Sequence, residues 1–122
     1  GIPSLDYSTD ETKLPYRWID GKQIYRKVVQ IGPIAASQYM TYDLMPTSEI
    51  GDIVAIRGTA CANDGSAWLP IPVASHWADG VNLYAINVDI NCSADTATIT
   101  VAMGSSRSIT RGFVVIDYTK GE

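Results

Sequence analysis

One histidine and two cysteines are all the imidazole and thiol in these 122 residues. With His76 alone, and with Cys61 and Cys92 in no CxxC spacing, a tetrahedral metal site lacks ligands, and no cofactor is implied. The shortage also bears on catalysis. There is no Gly-rich phosphate loop, no GxSxG elbow and no HExxH pair, and His76 is the only imidazole available as a general base. An enzyme would have to use carboxylates. Asp43, Glu49, Asp52, Asp64, Asp79, Asp89 and Asp95 mostly adjoin Gly, Ser or Asn in turns, where Asp serves the backbone. No enzyme is expected. No apolar run is long enough to cross a bilayer, and the start "GIPSLDYSTDETK" lacks both regions of a secretory signal, so membrane insertion is not expected. The basic residues are scattered through a chain of net charge −4 and form no stripe for phosphate neutralisation, which argues against nucleic acid.

What is present is an average globular composition, 46% hydrophobic and 18% charged, on a length that suits one hydrophobic core. The start at Gly rather than Met suggests a fragment cut from something longer or one that trails an expression tag. Residues 1–15, with Pro3 and Pro15, read as an N-terminal arm or linker. Residues 16–122 read as a single domain. "WIDGKQIYRKVVQI" has the pattern of a hairpin, with Asp20 and Gly21 supplying the positive-φ turn. Residues 33–47 fit neither period and read as a loop or helical turn followed by a short strand. Strands are predicted over 52–62, 67–75, 81–92, 96–103 and 112–119, separated by "NDGS", "ADG", "CSAD" and "GSSRSITRG". The clearest alternation sets Val88, Ile90 and Cys92 against Asn87, Asp89 and Asn91, and Ile99 and Val101 against Thr98 and Thr100. The expected fold class is all-β, an antiparallel β-sandwich or jelly roll with little or no helix. The cysteines are expected to be unpaired buried thiols in a protein assembled in a reducing compartment, with a disulfide as the alternative.

The segment "SHWADGVNLYAIN" is the best ligand-binding candidate. His76, Trp77, Asp79, Asn82 and Tyr84 combine flat rings with hydrogen-bonding groups around a turn, the mixture that stacks on a pyranose and reads its hydroxyls. The alternative is that Trp77 caps the core and His76 is a solvated turn residue. Trp68, followed by Pro70 and Pro72, reads as part of an edge strand and as buried in a core or interface rather than as a ligand contact. Arg26 and Lys27 fall on opposite faces of their strand, with solvated or inter-chain salt-bridge roles expected.

"DYSTDETKLPYRWIDGKQIYRKVV" at the start and "GFVVIDYTKGE" at the end resemble recurrent segments of tail-fibre, head-fibre and related appendage proteins of tailed bacteriophages and prophages. Gln23 stands where the usual pattern has Pro, and residues 33–110 match nothing in it. The resemblance implies a β-rich module at the C-terminal end of a fibre, assembled in the host cytoplasm and exposed on the virion. It further implies a homotrimer, attached to the rest of the fibre, that binds a host-surface glycan or polymer. It implies no catalytic residue. On this reading Trp18, Asp20, Gly21 and Tyr25 form a structural motif, with Trp18 packed over the hairpin. A purely structural trimerisation cap or capsid decoration is the main alternative. A glycan depolymerase is a third, and it would need clustered carboxylates.

Overall fold

The computed structural model describes residues 6–62, 65, 67–71 and 84–121. These form eight strands: β1 (Thr12–Arg17), β2 (Gln23–Ile31), β3 (Tyr39–Pro46), β4 (Ile50–Ala62), β5 (Trp68–Ile71), β6 (Ile86–Asn91), β7 (Thr96–Met103) and β8 (Ile109–Lys120). The one helical element among the described residues is a 3-10 turn, Thr47–Glu49. A five-stranded sheet in the order β1-β2-β8-β4-β5 faces a three-stranded sheet in the order β3-β7-β6, and every strand pairing is antiparallel. The fold is an antiparallel β-sandwich.

Alternation decides which side chains fill the gap between the sheets. In β7, Ala97, Ile99, Val101 and Met103 are buried while Thr98, Thr100 and Ala102 turn to the other face, as a period of two requires. From the larger sheet, Val29, Ile31, Val114, Ile116 and Tyr118 meet them. Each fully buried Ile or Val side chain contributes about 1.5–3 kcal/mol. Two polar links also cross between the sheets: Lys27 Nζ donates to the Leu44 carbonyl at 2.7 Å, and the Gly32 N–H donates to Tyr42 Oη at 3.0 Å.

The hairpin forms where Asp20 and Gly21 predict it, with a three-residue loop. The Gly21 N–H donates to Trp18 C=O at 2.9 Å, the Trp18 N–H donates to Lys22 C=O at 2.8 Å, and Gly21 takes φ of +83°. A type I turn closed by one left-handed residue has this pattern. Asp20 Oδ1 accepts the Lys22 N–H at 2.9 Å. Trp18 closes the loop through its backbone, and its side chain is only partly buried.

Several expectations change. The first strand begins at Thr12, inside the stretch read as an arm. Pro15 is tolerated because β1 is an edge strand whose register shifts between Lys13 and Arg17, where a missing N–H breaks no ladder. Gln23, in the place of the usual proline, donates its side-chain amide to the carbonyls of Leu14 and Tyr16 at that irregularity. Residues 39–46 are a full strand, hidden in the sequence by a register shift between Asp43 and Met45 that breaks the alternation. Both cysteines are free, Cys61 buried as expected but Cys92 exposed, because β6 stops at Asn91. β5 is an edge strand, as Pro70 suggested, but Trp68 is 48% exposed and outside the core.

Candidate functional site

The two segments that carry the resemblance, separated by most of the chain, lie side by side as β1, β2 and β8. Register sets Arg26 opposite Asp117 and Tyr25 opposite Tyr118. Arg26 Nε and Nη2 donate to the two Asp117 carboxylate oxygens at 2.8 and 3.1 Å, and Arg57 Nη1 on β4 donates to the same carboxylate at 3.1 Å. Burial alone would raise the Asp117 pKa, but the hydrogen bonds from Arg26 and Arg57 outweigh it and hold the carboxyl below its usual range. The bond to Asp117 raises Arg26 in turn. On the opposite face, Tyr118 Oη donates to Glu11, whose other oxygen pairs with Lys120 Nζ at 2.6 Å. That ammonium lies 4.5 Å from the centre of the Tyr25 ring. Burial first, and the Glu11 bond second, push the Tyr118 hydroxyl far above its ordinary value. The Glu11 bond likewise raises Lys120. Within the chain Arg26 is thus engaged by Asp117 and Lys27 by the Leu44 carbonyl.

The outward face of the larger sheet carries an open furrow. One cleft of 450 Å³ is lined by Tyr7, Ser8 and Thr9 of the N-terminal segment, Val28 and Gln30 of β2, Thr59 of β4, and Phe113 and Val115 of β8. A second, of 230 Å³, shares Thr59, Phe113 and Val115 and extends to Arg57. The strand registers explain the layout: Gln30, Phe113 and Thr59 form one row across β2, β8 and β4, and Val28, Val115 and Arg57 form the next. One end of the furrow is closed by the Arg26–Asp117–Arg57 cluster. At the other end Arg111 on β8 and Trp68 on β5 flank Cys61 on β4. The Arg111 guanidinium approaches to 4.9 Å from the Trp68 ring centre. This contact spans the strand that holds Cys61, whose thiol lies on the outward face and is 3% exposed. At the arm, the Val28 N–H donates to Ser8 C=O at 2.9 Å, and Arg26 lies 4.5 Å from the Tyr7 ring centre.

A third cavity, of 340 Å³, is lined by Glu11, Lys27, Glu49 and Tyr118 among others. Two of its charged groups are already engaged, Glu11 by Tyr118 and Lys120 and Lys27 by the Leu44 carbonyl. Among the described residues, no group of three or more His, Cys, Asp or Glu side chains is arranged to hold a metal ion.

Of the predicted ligand residues, His76, Trp77, Asp79 and Asn82 lie outside the described residues. Tyr84 is 38% exposed, and Arg107 lies 5.4 Å from its ring centre and donates Nε to its carbonyl at 3.1 Å. Asp20 and Gly21 shape the hairpin, and Tyr25 belongs to the Tyr118–Lys120 cluster. The furrow residues Gln30, Arg57, Thr59, Arg111 and Phe113 escaped the sequence reading. The available signal was weak: outward positions of strands that also contain Val and Ile. No protein-family model matches the chain, and no curated protein or solved structure does either. Fold and site together define a two-sheet antiparallel β-sandwich with an open furrow on its larger sheet.

Proposed function

We propose that the chain is a β-sandwich module of a tailed-phage fibre or appendage, carried on the virion surface as a homotrimer, and that it binds host cell-surface carbohydrate. The observation that carries this reading is the division of labour on the larger sheet. The segments bearing the fibre resemblance clamp one another through Arg26–Asp117 and Glu11–Tyr118–Lys120. They form a frame, and beside it lies a furrow with an aromatic floor, Phe113, and amide and hydroxyl groups, Gln30 and Thr59. Rings and hydroxyl-reading groups in a shallow site suit a saccharide. A trimer strengthens such weak sites, since avidity exceeds single-site affinity by about 10²–10⁴ where geometry allows simultaneous contact.

The test is a glycan array and host-cell binding assay on the purified protein, with its solution mass measured by light scattering in the same buffer. A mass of three chains, with selective binding lost in Phe113→Ala and Gln30→Ala, supports the reading. Binding lost in Trp77→Ala and kept in both furrow variants moves the site to the 75–87 segment. A second reading, the structural cap, is favoured by the apolar row Val28–Val115 with Phe113 beside it, which a neighbouring chain would cover. A trimer that binds no glycan and dissociates on Val115→Lys selects the cap.

A further inference from the structure

We infer that the furrow is built for an acidic saccharide polymer, with a sugar over Phe113 and its acid groups at Arg57 and Arg111. The inference rests on the carbohydrate-binding reading above and adds the class of sugar. The chain as a whole is acidic, with a net charge of −4. Yet the strand residues at the two ends of the furrow are Arg26, Arg57 and Arg111 against a single carboxylate, Asp117. That carboxylate is occupied by Arg26 through both oxygens. Arg57 gives it one N–H and remains 44% exposed, so most of the five donors of its guanidinium stay open to a ligand. The Arg111 guanidinium donates to no acceptor among the described residues and is steadied there by the Trp68 ring. A guanidinium held by an aromatic face and short of acceptors is suited to a carboxylate or phosphate.

Register fixes the spacing. Phe113 and Thr59 stand opposite each other, with Arg111 two residues away along β8 on one side and the Val115–Arg57 pair two residues away on the other. Two residues along a strand are about 7 Å, so the two arginine positions lie about 13 Å apart. Arg57 leans to Asp117 and Arg111 lies over Trp68, so the two guanidinium groups are held apart and a ligand that uses both carries acid groups on separate sugars. Asp6 and Asp10, exposed on the N-terminal segment beside Tyr7–Thr9, repel anions at the opposite edge. They direct the acid groups toward β4 and β5.

The experiment is an array of neutral, carboxylated and phosphodiester-bearing polysaccharides, probed with the wild-type protein, Arg57→Gln and Arg111→Gln. Each variant is first checked for native circular dichroism and an unchanged solution mass. The expected result is binding to acidic polymers, weakened by salt and lowered about tenfold or more by each substitution, a loss of about 1.4 kcal/mol or more. The carboxylated and phosphorylated arms identify the acid. Binding to neutral polymers alone overturns the inference and leaves carbohydrate binding standing. Acidic binding untouched by both substitutions overturns the furrow as its site. Binding to no polymer overturns the carbohydrate reading and the inference with it.

Discussion

Replacing Asp117 by Ala removes the acceptor that joins β2, β8 and β4 on one face. Arg26 and Asp117 side chains are each 11% exposed and share two hydrogen bonds. Leaving one charge of a buried pair unmatched costs about 3–5 kcal/mol. Some water reaches this pair, so the low end applies, about 3 kcal/mol. For a chain of this size that is a fall in Tm of roughly 10–15 °C. Arg57 is 44% exposed, and Arg57→Ala should cost only about 0.5–1 kcal/mol, as for a solvated ion pair. Replacing both members of the buried pair, Arg26→Met with Asp117→Leu, should recover most of the loss because no charge is stranded. The native Asp117 carboxyl lies below its ordinary value of 3.8. Its contribution is therefore present above that pH and lost as pH falls through the lower, native value, a component that Asp117→Ala lacks. Urea unfolding followed by circular dichroism measures all of this. A cost below about 1 kcal/mol for Asp117→Ala, or a double variant no more stable than the single one, refutes the clamp.

At the alkaline end, Tyr118 is raised above its ordinary 10.0 by burial and by Glu11. The stability that comes from its neutral hydroxyl is complete below pH 10 and lost as pH rises above it, and Lys120, raised from 10.5, acts in the same direction. Tyr118→Phe should cost about 1 kcal/mol at neutral pH and flatten the loss of stability above pH 10, read from urea midpoints across that range. A Cβ at Gly58 would lie 2.2 Å from the Phe113 carbonyl oxygen, whereas one at Gly21 meets nothing within 4 Å. Gly58→Ala should therefore cost about 3 kcal/mol or more, and Gly21→Ala only the left-handed backbone penalty of about 1–2 kcal/mol; equal costs in urea would contradict the register of β4. A thiol reagent should label Cys92 in the folded protein and Cys61 only after unfolding. Mass spectrometry of the labelled peptides decides it, and equal labelling would refute the covered position of Cys61.

The parts of the fold that were legible are those where one face is buried and the other wet. β7 announces itself through Ile99 and Val101 alternating with Thr98 and Thr100, and the hairpin through Asp20 and Gly21. β1 and β3 were obscured because a register shift interrupts their alternation, so the local period no longer reports the strand. The Arg26–Asp117 pair has no local signature at all. Its members are brought together by the β2–β8 register, which depends on the whole sheet. The furrow was obscured for another reason. In "KVVQI" and "GFVVID" two valines stand side by side, and only sheet pairing decides that Val28 and Val115 turn outward while Val29 and Val114 turn in.

The frame and the furrow are not independent, because β8 supplies both on the same face. Phe113 and Val115 form the floor, and Asp117, two residues on, anchors Arg26 and orients Arg57. Arg57 is therefore at once the weakest member of the clamp and the cation nearest the floor. An exposed arginine left to itself samples many rotamers, and ordering it for a ligand costs side-chain entropy. One hydrogen bond to Asp117 restrains it beforehand, while its exposure keeps the remaining donors available. On the proposed binding reading, this gives a role to a residue that adds little to stability and sits at a carboxylate already filled by Arg26.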